Sequence, residues 1–182
     1  MIGETVVSHN LQVRRGRASD AAALAAFAER TFAETFAAAN RPEDIEAYLP
    51  TAYGTGLQEI ELADPDIITL IIADGETLAA YAQVRRGEVP ACVKGSAPVE
   101  LWRFYVDKPF HGRGLAQQLI AAAHAAAFEL GGRTLWLGVW ERNERAIAFY
   151  SKAGFHTVGS HDFWVGSDRQ TDNIMVIDVR QT

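Results

Sequence analysis

The spacing of apolar residues changes period several times along the chain, and each change predicts an element. "LQVRR", at 11–15, alternates as a short strand does. Ser19 and Asp20 favour a helix N-cap, and the run "SDAAALAAFAERTFAETFAAA" sets Leu24, Phe27, Ala28, Thr31, Phe32 and Thr35 at helical spacing, which turns one face of a long helix inward. Pro42 suits the first turn of a second helix through "PEDIEAYL", and "GLQEIELA" predicts a third. From Asp66 the period shortens: "DIITLIIADGETLAAYAQVRR" holds two β-rich runs around Asp74-Gly75, a dipeptide of tight hairpins. "RGEVPACVKGSAP", broken by prolines and glycines, predicts an exposed loop before the strand "VELWRFYV".

Further on, Leu115, Leu119, Ala122, Ala126 and Leu130 share one side of a helix that Gly131-Gly132 ends. "TLWLGVW" is apolar at successive positions, as expected of a central strand covered on both faces. Residues 99–139 therefore form a strand, a crossover helix and a parallel strand. Asn143 caps the next helix, "ERAIAFYSK", in which Ala146, Phe149, Tyr150 and Ala153 share a face and Gly154 follows as the C-terminal residue. Two closing strands, "FHTVGSHDFWV" and "QTDNIMVIDV", complete an α+β pattern without repeat or linker. It predicts a single domain over 11–182 behind an N-terminal tail, 1–10.

Composition narrows the classes. A chain of 182 residues can bury one sizeable core. Its 17 basic and 23 acidic residues leave a net charge of -6, which argues against a nucleic-acid surface. "MIGETVVSHNLQV" lacks the basic start and apolar run of a leader, and no stretch has a membrane span's length, so a cytoplasmic protein without a membrane partner is expected. One cysteine excludes an internal disulfide and fits a reducing interior, and no His or Cys cluster predicts a metal. Cys92 has no base or helix N-terminus nearby to activate it. His124, His156 and His161 are expected to be structural or surface groups.

Most of the chemistry lies in the bend "VDKPFHGRGLAQQLI", 106–120. The first turn of a helix has unpaired N–H groups at the positive end of its dipole, and Gly112 and Gly114 let a backbone approach a phosphate that Arg113 could also attract. Neither the Walker spacing nor the three-glycine dinucleotide fingerprint is present. On these residues alone the bend is either a phosphate cradle or a plain turn.

The longer context decides between them by likeness. Strand, "HGRGLA", helix, strand, Asn143, a helix with Tyr150 and then "AGF" resemble the Gcn5-related N-acetyltransferase (GNAT) superfamily over about 11–180. Residues 111–116 match its Gln/Arg-x-x-Gly-x-Gly/Ala signature except that His111 stands first, and "NERAIAFYSKAGF", 143–155, matches its second signature. "LWLGVWERNERAIAFYSKAGF", "GSHDFWVGSDRQTDNIM" and "FAETF" are similar to the bacterial polyamine acetyltransferases of the PaiA type.

The resemblance implies a GNAT-like acyl-CoA N-acyltransferase fold, a mixed sheet of about seven strands flanked by helices, with parallel strands 99–106 and 134–140 splayed into a cofactor cleft. Acetyl-CoA would lie there as cosubstrate: pantetheine against Phe104, Tyr105 and Val106, pyrophosphate on Gly112, Arg113, Gly114, Leu115, Ala116 and Gln117, with His111, Asn143, Ala146, Phe149 and Tyr150 completing the site. It implies direct attack of a neutral amine without an acyl-enzyme, Tyr150 as the acid that protonates sulfur, and Glu100 or Glu34 as base. Glu34, Phe36, Tyr48, Trp102, Trp140 and Glu141 would meet the acceptor, with Phe32 in the aromatic set. The implied acceptor is a polyamine such as spermidine or spermine. A peptide, protein N-terminus or amino acid is the alternative, and a non-catalytic acyl-CoA-binding module a further one. The sequence does not set whether the chain forms a homodimer.

Overall fold

The computed structural model describes residues 11–36, 40–165 and 168–180. The tail expected over 1–10 lies outside them, as do residues 37–39 of the first expected helix. The chain begins with β1 (Val13–Arg15), a 3-10 turn (Ala18–Asp20), and helices α1 (Ala21–Phe36), α2 (Pro42–Tyr53) and α3 (Thr55–Ala63). Strands β2 (Ile67–Asp74), β3 (Thr77–Arg85) and β4 (Pro98–Val106) follow, then α4 (Leu115–Glu129), β5 (Thr134–Trp140), α5 (Glu144–Lys152), β6 (His156–Val165) and β7 (Asp168–Asp178).

Two local departures from the sequence pattern have physical causes. Asp20 does not cap α1; its carboxylate accepts the Arg17 N–H at 2.7 Å and both Arg14 guanidinium nitrogens at 2.7 and 2.8 Å, so a 3-10 turn precedes the helix. Helix α2 runs past Pro50 to Tyr53, because Ala52 and Tyr53 become buried against Leu24, Phe32 and Ile45.

The sheet order is β1-β2-β3-β4-β5-β7-β6. All neighbours are antiparallel except β4 and β5, which run parallel. That parallel pair is short: Pro98, Val99 and Glu100 face Thr134, Leu135 and Trp136, and pairing then stops. The cause lies in β4. Gln83 pairs with Arg103 but Val84 pairs with Leu101, so Trp102 is an extra residue, a bulge that bends the strand. Beyond it β4 follows β3 while β5 stays in register with β7 as far as Trp140 opposite Asp172. A wedge opens between them.

Period-2 alternation distributes the core over both faces. Ile68, Leu70, Ile72, Leu135, Leu137 and Val139 meet Leu115, Leu119 and Ala123 of α4, with Tyr150 of α5 and Phe155 in the same layer. On the other face Ile71, Leu78 and Tyr81 meet Leu24, Phe27, Phe32, Ile45 and Tyr53 of α1 and α2. The doubly apolar pattern of "TLWLGVW" has the same origin, since Trp136 packs on Val93 of the 86–97 loop while its neighbours face α4. Gly138 and Trp140 lie on the Trp136 side. Among the described residues no helix is long and apolar enough to cross a membrane.

Candidate active site

Two cavities meet in the wedge. The first, of about 550 Å³, lies between the ends of β4 and α5 and the start of α4. The β5-facing edge of β4 beyond Glu100 has no strand partner, so its amides and carbonyls are free to pair with an extended, amide-bearing ligand. At the bend Gly112 and Gly114 have φ of 78° and 79°, and a Cβ at either would meet nothing within 4 Å, so the left-handed backbone and not crowding calls for glycine. Gln118 donates to the Gly114 carbonyl at 3.2 Å and closes the first turn of α4. The amides of Leu115, Ala116 and Gln117 are thereby left at the cavity for an anion.

His111 donates through Nε2 to the Val106 carbonyl at 2.8 Å, tying the bend to the end of β4. Arg113 does not line the cavity; its guanidinium lies 5.1 Å from the centre of the Phe110 ring. Cationic side chains are instead supplied by Lys108 and Arg145, which sequence reasoning missed although Lys108 lies three residues before the first signature and Arg145 inside the second. Glu34 is also on this side, paired with Arg30 and Lys108 at 3.3 Å each.

The second cavity, about 610 Å³, lies deeper, between α1–α3 and the sheet. Phe36, Tyr48, Trp102 and Trp140 line it, as does Phe32; Phe32 stacks on Tyr48 with centroids 4.8 Å apart and Phe36 meets Trp140 at 5.8 Å. Two guanidinium groups lie against the Trp102 ring, Arg85 at 3.6 Å and Arg103 at 3.8 Å from its centre. Glu141 lines neither cavity and is exposed, because it follows the end of β5 where the chain turns outward.

Glu100 is here, its side chain 12% exposed and its Oε2 accepting Arg85 Nε at 2.6 Å. Burial pushes its carboxyl above the usual range despite Arg85. Sequence reasoning missed several other members. Glu61 and Arg103 form a buried pair at 2.6 Å. His161 was expected to be structural or on the surface. It lines the cavity opposite Asp172, with Nε2 3.7 Å from Oδ2, and burial pushes the Asp172 carboxyl up to about 6. Gly138 makes room for them: a Cβ there would stand 3.0 Å from Asp172 Oδ2 and 3.4 Å from His161 Nε2. Of this group only Gly138 left a sequence signal, a glycine inside a strand.

Thr35, Phe104, Tyr105, Asn143, Ala146 and Tyr150 line both cavities and so mark their junction. Asn143 caps α5, accepting the Ala146 N–H at 3.2 Å. Tyr150 is buried between Phe104, Phe149 and Phe155, and burial raises its phenol well above the ordinary value. It therefore keeps its proton at neutral pH and can donate it at the junction.

The sequence model described as the acetyltransferase (GNAT) family matches residues 25–155. The chain belongs to that family. A relative, an uncharacterised N-acetyltransferase of Lactobacillus delbrueckii subsp. lactis, is 34% identical over 82% of this chain and 87% of its own. The probable spermine N(1)-acetyltransferase of Bacillus subtilis subsp. natto is 35% identical over 36% of this chain and 43% of that one. Among solved structures, the PaiA N-acetyltransferase of Thermoplasma acidophilum, in complex with coenzyme A, superposes with TM-score 0.73 at 21% identity, over 93% of this chain and 99% of that one. The protein is thus an acetyl-CoA-dependent N-acetyltransferase. Among the described residues no group of three His, Cys, Asp or Glu side chains could hold a metal ion.

Proposed function

We propose that this enzyme acetylates a primary amine of a polyamine such as spermidine or spermine, within the reducing cytoplasm, by direct attack on the thioester. The observation that carries this reading is the charge of the inner cavity: Glu61, Glu100 and Asp172 against Arg85 and Arg103, three carboxylates to two guanidiniums among aromatic walls. Such walls hold alkylammonium groups by cation–π contact while the surplus carboxylate balances charge. The partial likeness to a probable spermine acetyltransferase points the same way.

In this reading acetyl-CoA supplies the thioester. Phe104, Tyr105 and Val106 offer backbone to its pantetheine, and the bend from Gly112 to Gln117 holds the pyrophosphate through amides, with Lys108 and Arg145 adding charge. An alkylammonium titrates near 10, so a proton must leave before nitrogen can attack. Glu100 takes it through a water, its raised pKa making it a better base than an exposed carboxylate. Glu34 is a weaker candidate, since it lines the outer cavity and not the inner one. Tyr150 gives its proton to sulfur as the C–S bond breaks.

Incubating the protein with acetyl-CoA and a panel of spermidine, spermine, diamines, amino acids and short peptides, with release of free thiol as the readout, tests the proposal. Polyamines should give the highest kcat/KM. A peptide or amino acid turned over in preference would move the acceptor class, and binding of CoA without turnover of any amine would leave an acyl-CoA-binding module.

A further inference from the structure

One proton is left over in each turnover. An acceptor that arrives as an ammonium ion loses two protons in becoming an amide, and the departing sulfur takes back only one. The surplus is generated in a cavity walled by protein and needs a way out.

The inner cavity shares a wall with a third, of about 850 Å³, which lies under the 86–92 loop and is lined by exposed Arg86, Gly87, Glu88 and Val89. The residues common to both are Arg85, Glu100 and His161. A guanidinium has no acceptor site for a proton, and Glu100 is the base that receives it from the amine. His161 is the remaining group in the partition, with 39% of its side chain exposed. It sits directly opposite Asp172 in the β6–β7 register, and Gly138 presents no side chain toward either residue. Asp172 on β7 lies opposite His161, and the other charged groups lining the two cavities it separates are Glu61, Glu100 and Arg103 with Arg85 on the inner side and Arg86 and Glu88 of the loop on the outer.

We propose that His161, supported by Asp172, relays the surplus proton from the acceptor cavity to solvent through the third cavity. The imidazole takes the proton from the Glu100 side, is held as imidazolium by the Asp172 carboxylate, and gives the proton to water beneath the 86–92 loop. His161 is thus a positioning and relay residue that acts through Glu100 and solvent. An imidazole suits the task because it can accept a proton at one ring nitrogen and release one from the other.

The proposal rests on the acetyltransfer reading, and its test keeps the two apart. Thiol release is measured for wild type, His161→Ala and His161→Gln with acetyl-CoA and spermidine, or with the best amine of the panel if spermidine is not a substrate. Both variants should lose 10- to 100-fold in kcat with the KM for acetyl-CoA unchanged, within the usual size of proton-transfer effects. Added imidazole should restore His161→Ala saturably, more with more basic substituted imidazoles, and Asp172→Asn should move the acid limb of the pH–rate profile to lower pH. Undiminished turnover overturns the relay, and so does a loss that imidazole does not restore. No thiol release by wild type with any amine overturns the acetyltransfer reading and the relay with it.

Discussion

Arg30 of α1 grips Asp107, the residue after β4, through two parallel hydrogen bonds of 2.9 and 2.8 Å. This fork holds the first helix against the mouth of the outer cavity and lowers the Asp107 pKa below the usual carboxylate range. Because the folded pKa is depressed, the stabilisation is present above the unfolded value near 4 and is lost as pH falls through the folded one. Asp107→Asn should therefore cost about 1 kcal/mol at pH 7, given that Arg30 is partly exposed, and the gap from wild type should close toward pH 3 in thermal melts. The KM for acetyl-CoA should rise several-fold.

Tyr150→Phe separates acid catalysis from packing. The ring stays buried among Phe104, Phe149 and Phe155 and the substitution leaves that packing in place, so Tm should change little. Turnover should fall by about 100-fold or more while CoA affinity, read by calorimetry, stays within about threefold. An unaltered kcat would remove Tyr150 from the reaction.

Gly114→Asp tests the bend. The φ of 79° puts any L-residue under strain of about 1–2 kcal/mol, and the new carboxylate adds like charge beside the phosphate cradle. CoA affinity should drop by at least tenfold, whereas Gly114→Ala, which carries the strain without the charge, should lose less. Equal binding by both would contradict the phosphate placement.

Glu61 and Arg103 should behave as a unit. Their side chains are 5% and 6% exposed, and Glu61 Oε2 accepts Arg103 Nη1 at 2.6 Å and the Gln58 and Gln83 amides at 2.9 and 3.0 Å. Glu61→Leu leaves a buried guanidinium uncompensated and should cost about 3–5 kcal/mol in urea unfolding. The double variant Glu61→Leu/Arg103→Met should recover much of that loss.

Asp172→Asn should change the pH dependence of stability. The Asp172 pKa of about 6 lies above the unfolded value, so its contribution is fully present below about pH 4 and is lost as pH rises through 6. The variant should match or exceed wild type in Tm at pH 8 and lose that advantage at pH 5. A constant difference across this range would contradict the burial assigned to the carboxyl.

Element types were legible along the chain wherever a local period carried them, as in the alternation of β2 and β3, the Leu115–Leu119 face of α4 and the Asn143 cap of α5. The glycine bend and Tyr150 were legible too, because a left-handed turn at a helix start and an aromatic at fixed spacing are written in neighbouring residues. Membership in the acetyltransferase family followed from those segments.

Only the tertiary structure decided where β4 and β5 part, since the Trp102 bulge exists solely as a register shift against β3. It alone brought Glu61 to Arg103 across 42 positions, set Asp172 between Trp140 and His161 on neighbouring strands, and turned Arg113 onto Phe110 and Glu141 into solvent. The physical reason is range. Periodicity and caps are settled within a few residues, whereas a cavity's charge is settled by side chains that meet only after strands pair and helices close over them.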